Sequence, residues 1–189
     1  MNGEMAETEA TGYSVYIVPT KTVYKSFDKV MNELVRRYSD NSLKYQAPRF
    51  EPHLTLIGDL VGSEDEVIVK CDKLASSLTP FDISLNALGQ SEKYFKCVFI
   101  KAEKTKELVD ANAKAREIFG RSSDPEYMPH ISLIYGIFNE KIRREIIDSV
   151  KQADNEILSY MFKAGAISLY STEGPAEMWH KIRDFKLTS

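Results

Sequence analysis

Histidine, cysteine and tryptophan are scarce in this chain of 189 residues, which holds three, two and one of them. Cys71 and Cys97 match no metal-ligand spacing and build no disulfide framework, so two free thiols and a reducing compartment are expected. No apolar run approaches the length of a membrane span. The first twenty residues carry no Lys or Arg and three Glu, which suits neither a secretory signal nor a transit peptide. These absences predict a cytoplasmic protein without membrane contact. Basic charge is in deficit too, with 25 Lys and Arg against 28 Asp and Glu, a formal charge of −3. That argues against a broad basic surface, so no stable nucleic-acid complex is expected and an anionic ligand should be small or held locally.

The remainder is ordinary for a globular protein, with 43% hydrophobic and 28% charged residues. The length suits one domain, or one domain with two lobes, and a monomer is expected.

Against this background one stretch occurs twice. Residues 48 to 57 read Pro48-Arg49-Phe50-Glu51-Pro52-His53-Leu54-Thr55-Leu56-Ile57. Residues 125 to 134 read Pro125-Glu126-Tyr127-Met128-Pro129-His130-Ile131-Ser132-Leu133-Ile134. Aligned on their histidines, both give Pro, any, aromatic, any, Pro, His, aliphatic, hydroxyl, Leu, Ile. The period, 130 − 53 = 77 residues, is too long for a solenoid and fits two halves of one domain.

Each copy predicts a strand entered through a proline, whose fixed φ and missing donor suit a first strand position. Alternation then sets His53, Thr55 and Ile57 on one face and Leu54 and Leu56 on the other. In the second copy His130, Ser132 and Ile134 oppose Ile131, Leu133 and Tyr135. An imidazole exchanges protons near neutral pH, and a hydroxyl donates to an anionic oxygen without adding charge. A lone histidine at a strand start is most often a surface or satisfied core residue. Duplication kept for packing would explain the repeated Pro, Leu and Ile, but not the polar pair at the same two positions. Two such pairs predict strands related by a pseudo-twofold axis, with one imidazole as general base and the other as general acid.

Residues 1–11 are polar and aperiodic and are expected to form a mobile tail, leaving 12–189 as a single bilobal domain. Tyr13 to Val18 alternates as a strand. Val23, Phe27, Val30, Met31 and Leu34 recur at helical spacing within an expected helix from Lys21 to Tyr38, followed by a polar loop from Asp40 to Ala47. Ser63 with Glu64, Asp65 and Glu66 predicts a capped helix start, and the helix runs to about Leu78. Phe81–Leu88 and Tyr94–Ala102 predict a hairpin, followed by a helix from about Lys104 to Phe119. Asn139 caps a helix to Ala153, and strands Phe162–Tyr170 and Met178–Leu187 finish the chain. The order β-α-β-α-β-β-α-β-α-β-β is an α+β plan.

The paired His-x-Thr-x and His-x-Ser-x motifs resemble those of the 2H phosphoesterase superfamily. Within it the chain looks most like the plant and fungal cyclic phosphodiesterases. Tyr13-Ser14-Val15-Tyr16, the Pro48–His53 segment, Phe95-Lys96-Cys97-Val98-Phe99 and Tyr127–Tyr135 carry the likeness, which extends to the Trp179 region. It implies two antiparallel sheets related by a pseudo-twofold, with helices outside and the motif strands facing a central cleft. It also implies metal-independent hydrolysis, needing no cofactor, of ADP-ribose 1″,2″-cyclic phosphate left from tRNA splicing and of nucleoside 2′,3′-cyclic phosphates.

His53 and His130 would then be acid and base, and Thr55 and Ser132 would hold the phosphate oxygens. By the same resemblance Tyr16 and Phe95 line the base-binding side, and Tyr135 reaches the phosphate if its strand bends near Gly136. Trp179 is expected to pack at the cleft rim. His180 lacks the frame and is expected at the surface, and Arg49, Lys93 and Lys96 are expected to be solvated. Three rivals remain: another 2H activity, on 2′-5′ oligoadenylate or RNA ends; a metal-dependent phosphodiesterase; and a non-catalytic nucleotide-binding module.

Overall fold

The structure, a computed structural model, describes residues 9–39 and 46–188. Residues 1–8 of the expected tail and 40–45 of the expected polar loop lie outside the described residues. Within the remainder of that tail, Ala10 exchanges backbone hydrogen bonds with Gly174.

The strands are β1 (Tyr13–Ile17), β2 (Leu54–Leu60), β3 (Phe81–Gln90), β4 (Val98–Ala102), β5 (His130–Ile134), β6 (Met161–Ala164), β7 (Ala166–Ser171) and β8 (His180–Lys186). The helices are α1 (Lys21–Tyr38), α2 (Glu64–Ser76), α3 (Lys106–Phe119) and α4 (Glu140–Ala153). Local chemistry sets their starts. Ser63 and Glu66 form a capping box on α2, and Asn139 accepts from the Ile142 N–H on α4. Thr105 caps α3, two residues later than the apolar spacing predicts for its first turn.

The strand order β6-β3-β4-β5-β2-β1-β7-β8 is antiparallel throughout and divides into two four-stranded halves. Among the described residues the sheet register joins the halves where Leu54 of β2 pairs with Ile131 of β5. A pseudo-twofold through that seam exchanges β1-α1-β2-α2 with β4-α3-β5-α4. Helix α1 packs on β5 while α3 packs on β2, and α1 meets α4 as α3 meets α2. Asn112 of α3 ties the two together from inside, donating to the Leu56 carbonyl at 2.7 Å. The α+β class, the pseudo-twofold halves and the external helices expected from the resemblance are thus observed.

Three expectations change in detail. The single strand expected over Phe162–Tyr170 is two strands, parted at Gly165. β6 pairs with β3 at one edge of the sheet, and β7 crosses to pair with β1 in the other half. Pairing partners that far apart leave no mark in the local alternation. Residues Tyr94–Lys96 form a 3₁₀ turn rather than the start of β4, and β3 runs on to Gln90. The hydrophobic core lies between the helices and the sheet; a smaller aromatic cluster around Tyr94, Tyr135 and Ala176 lies apart from it.

Candidate active site

Each motif histidine is oriented by its own entry segment. His53 Nδ1 lies 2.6 Å from the Glu51 carbonyl, and His130 Nδ1 lies 2.9 Å from the Met128 carbonyl. A carbonyl only accepts, so each Nδ1 carries the proton and each Nε2 keeps its lone pair. The same contact recurs weakly at exposed His180, 3.2 Å from the Met178 carbonyl. The tautomer is therefore a property of the extended entry, and tertiary packing decides which imidazoles share a site.

His53 and His130 share one. A cleft of about 820 Å³ is lined by Tyr16, His53 and Thr55 from one half and by Phe95, His130, Ser132 and Tyr135 from the other. All seven residues singled out in the sequence are thus brought together. Continuing the Leu54–Ile131 register by one residue each way sets His53 opposite Ser132 and Thr55 opposite His130. The register thus sets each histidine position against the hydroxyl position of the other repeat. The Ser132 hydroxyl at present donates to the Phe95 carbonyl at 2.8 Å, so it must turn to reach an anionic ligand.

Burial weighs against the charged form of both imidazoles. His53, 6% exposed, is pushed down to about 4, first by loss of water, and by the nearby His130, against the opposing pull of the Glu51 carbonyl. His130 is also lowered, chiefly by burial and further by the Lys96 ammonium, while the Met128 carbonyl opposes.

The alternation assumed along the motif strands fails after four residues, in both repeats. Ile57 and Ile134 were expected on the histidine face, yet both are buried in the core, 4% and 0% exposed. Register shifts where β2 meets β1 and where β5 meets β4 insert an extra residue and reverse the side-chain faces. The next position in each repeat, Gly58 or Tyr135, then turns toward the cleft. This bulge is what brings Tyr135 into the site. On β2 the chain leaves the bulge with Asp59 at φ 53°, and Arg121 donates to the Gly58 and Asp59 carbonyls.

The aromatic residues mostly pack on one another. Tyr16, 3% exposed, lies flat on His53 with ring centroids 3.7 Å apart and an interplanar angle of 16°. Its expected face for a base is thus taken by the imidazole. Tyr135 stacks on Phe50 at 3.7 Å and 4°. Phe95 stands beside Trp179 at 5.6 Å, and Trp179 donates its indole N–H to the Gly174 carbonyl. Both rings are partly exposed at the rim, so they keep surface for a ligand.

Sequence reasoning passed over several contributors. Phe99 pairs with Ser132 as Tyr16 pairs with Thr55, and it meets His130 edge-on at 5.2 Å. Phe99 is the pseudo-symmetric counterpart of Tyr16, and only the strand register reveals this. Phe50 and Tyr127 were visible as the repeated aromatic three residues before each histidine. Each braces the opposite motif, Phe50 against Tyr135 and Tyr127 through a hydrogen bond to the Thr55 carbonyl at 3.0 Å. No group of three or more His, Cys, Asp or Glu side chains able to hold a metal occurs among the described residues.

Comparison with known proteins bears on this arrangement. Residues 11–187 match the family described as cyclic phosphodiesterase-like protein. The chain belongs to that family. As a cyclic phosphodiesterase of the 2H group, it is 24% identical to the cyclic phosphodiesterase of Arabidopsis thaliana over 169 residues, covering 89% of this chain and 90% of the relative. It is 23% identical to the 2′,3′-cyclic-nucleotide 3′-phosphodiesterase of Yarrowia lipolytica, covering 92% of this chain and all of that protein. Among solved structures, E. coli LigT complexed with 3′-AMP superimposes with a TM-score of 0.61 at 14% identity, covering 96% of this chain and 100% of LigT. TT0787 of Thermus thermophilus gives 0.61 at 16%, covering 94% and 98%. LigT has also been solved with ATP and with NADP+. Among the described residues of this phosphodiesterase no helix is long and apolar enough to cross a membrane.

Proposed function

We propose that the protein hydrolyses cyclic phosphodiesters fused to a ribose, opening nucleoside 2′,3′-cyclic phosphates to 2′-phosphates and ADP-ribose 1″,2″-cyclic phosphate to ADP-ribose 1″-phosphate. The observation that carries this reading is the convergence of His53, Thr55, His130 and Ser132 on one cleft, each imidazole with Nε2 unprotonated and Nδ1 tied down. The Yarrowia relative, named for 2′,3′-cyclic nucleotides, and the Arabidopsis relative, named as a cyclic phosphodiesterase, support this reading.

In the proposed reaction His53 is the base. Its burial favours the neutral form, so Nε2 removes a proton from water as the water oxygen attacks phosphorus. The bond from phosphorus to ribose O3′ breaks, and His130 delivers a proton from Nε2 to that oxygen. His130 gains this proton when the anionic phosphate lies beside it, offsetting burial and the Lys96 charge. Thr55 and Ser132 donate to the non-bridging oxygens as charge builds, in the manner of an oxyanion site. Phe95 and Trp179 offer partly exposed faces on which a base can stack. Lys93 and Lys96 at the cleft edge add positive charge for the phosphate.

The test is incubation of pure protein with 2′,3′-cyclic AMP in excess EDTA, with the product isomer read by phosphorus NMR. Adenosine 2′-phosphate is expected. A 3′-phosphate product, or loss of activity that a divalent ion restores, overturns the mechanism; turnover only of 2′-5′ oligoadenylate overturns the substrate.

A further inference from the structure

We propose that Glu51 is the positioning residue for His53, its carboxylate gripped by Tyr170 so that its own backbone carbonyl holds the imidazole in place. The inference rests on the reading that His53 is the base of the reaction.

The need for such a grip comes from the backbone. Residues 46–53 belong to no helix or strand, so the peptide that orients His53 is not held by a sheet ladder. Side chains hold it instead. The Tyr170 hydroxyl, from β7, donates to Glu51 Oε2, and the Tyr24 phenol, from α1, lies close enough to feel the Glu51 charge. Phenol-to-carboxylate hydrogen bonds are charge-assisted and stronger than neutral ones. Both tyrosines come from well-packed elements, and Tyr170 is only 4% exposed.

The contacts then close on themselves. The Glu51 carbonyl accepts from His53 Nδ1 at 2.6 Å. Tyr16 lies on the face of His53, and Tyr170 packs on Tyr16 with centroids 4.8 Å apart. Starting from Glu51, the path runs through Tyr170, Tyr16 and His53 and returns to Glu51. The imidazole is thereby held at its edge and on one face by a single connected group.

The second repeat has no such device. The residue two before His130 is Met128, whose side chain cannot accept a charge-assisted bond, and His130 meets Phe99 edge-on instead of a flat ring. The repeats share the defined positions of the frame but differ here, as they do at Arg49 and Glu126. Tight clamping on one side suits a base whose lone pair must point at water. The looser setting of His130 suits an acid that follows a leaving oxygen.

The experiment reads the two imidazoles separately. Long-range nitrogen–proton NMR of the ligand-free protein should show His53 and His130 as Nδ1–H tautomers. In Glu51→Ala, His53 should become a mixture of tautomers while His130 stays unchanged, and kcat should fall roughly 10- to 100-fold with little change in KM. Glu51→Gln keeps an acceptor for the Tyr170 phenol and should restore most of the loss. Tyr170→Phe, which removes the donor and keeps the ring, should give a smaller change in the same direction. A folded Glu51→Ala protein with His53 signals and kcat at wild-type values overturns the proposal, as does an equal shift of both histidines. The NMR readout needs no substrate. A shifted His53 in a protein that turns over no cyclic nucleotide would therefore leave the positioning standing and remove the proposed reaction.

Discussion

Leu54 and Ile131 are antiparallel partners, and each follows a motif histidine by one residue. This pair joins the two halves of the sheet, so the repeated frame and the seam of the fold coincide. Continued by one residue, the register crosses the repeats, setting the position of His53 against that of Ser132 and the position of His130 against that of Thr55.

The motif residues should therefore fail together when mutated. A positioned acid or base contributes ~10²–10⁴-fold, so His53→Ala and His130→Ala should each lower kcat by about that factor. Groups acting in one step are strongly non-additive, and the double mutant should fall well short of the product of the two losses. Thr55→Val and Ser132→Ala should cost up to roughly 10²–10³-fold. His180→Ala should turn over at close to the wild-type rate. Steady-state kinetics on one cyclic nucleotide, with folding checked by circular dichroism, decide the matter; a dispensable His53 or His130 contradicts the paired reading.

A base must be unprotonated, so kcat/KM should rise with pH as free His53 loses its proton, near about 4. An acid must be protonated, so kcat/KM should fall as free His130 loses its proton, at a pH below the ordinary imidazole value. The profile should be a bell centred on the acid side of neutrality. Lys96→Gln removes a positive neighbour of His130 and should move the upper limb to higher pH. An unmoved upper limb in that variant would remove Lys96 from the electrostatics of His130.

Gly89 should be needed for the setting of His130. A Cβ there would stand 2.5 Å from Phe99 Cε2 and 2.6 Å from Cζ, and Phe99 meets His130 edge-on. Gly89→Ala must push that ring, at a cost of about 1–3 kcal/mol for overpacking. Urea denaturation should record the loss of stability, and kcat should drop with it. Gly165→Ala, where an added Cβ meets nothing within 4 Å, serves as the control. Equal stability of the two variants would mean that Phe99 has room to move.

Neither thiol should react in the native protein. Cys71 and Cys97 are free, 0% and 1% exposed, and burial pushes both thiols up to about 12. Cys97 Sγ also donates to the Ile134 carbonyl at 2.8 Å. Iodoacetamide at mild pH should label the protein only after denaturation and leave activity intact. Rapid labelling of the folded protein, or a Cys71–Cys97 disulfide found by mass spectrometry, would overturn this.

What the sequence by itself determined is what depends on near neighbours along the chain. Pro52 and Pro129 mark strand entries, and each entry presents its histidine as an Nδ1–H tautomer. Ser63 and Asn139 start helices, and the apolar spacing of α1 selects its buried face. The repeated frame named His53, Thr55, His130 and Ser132 because two copies of one polar pattern carry information that one copy lacks.

Tertiary structure decided whatever depends on a partner distant in the chain. Ile57 and Ile134 went to the core, and Tyr135 to the cleft, because strand pairing placed a bulge that local alternation cannot encode. The segment around Gly165 was divided because its two ends pair with opposite halves of the sheet. Tyr16 lies on His53, Phe99 stands at His130, and Tyr170 holds Glu51 through 119 intervening steps of chain. Such contacts are selected by the packing of whole layers, in which a side chain's neighbour is set by strand register and not by its place in the sequence.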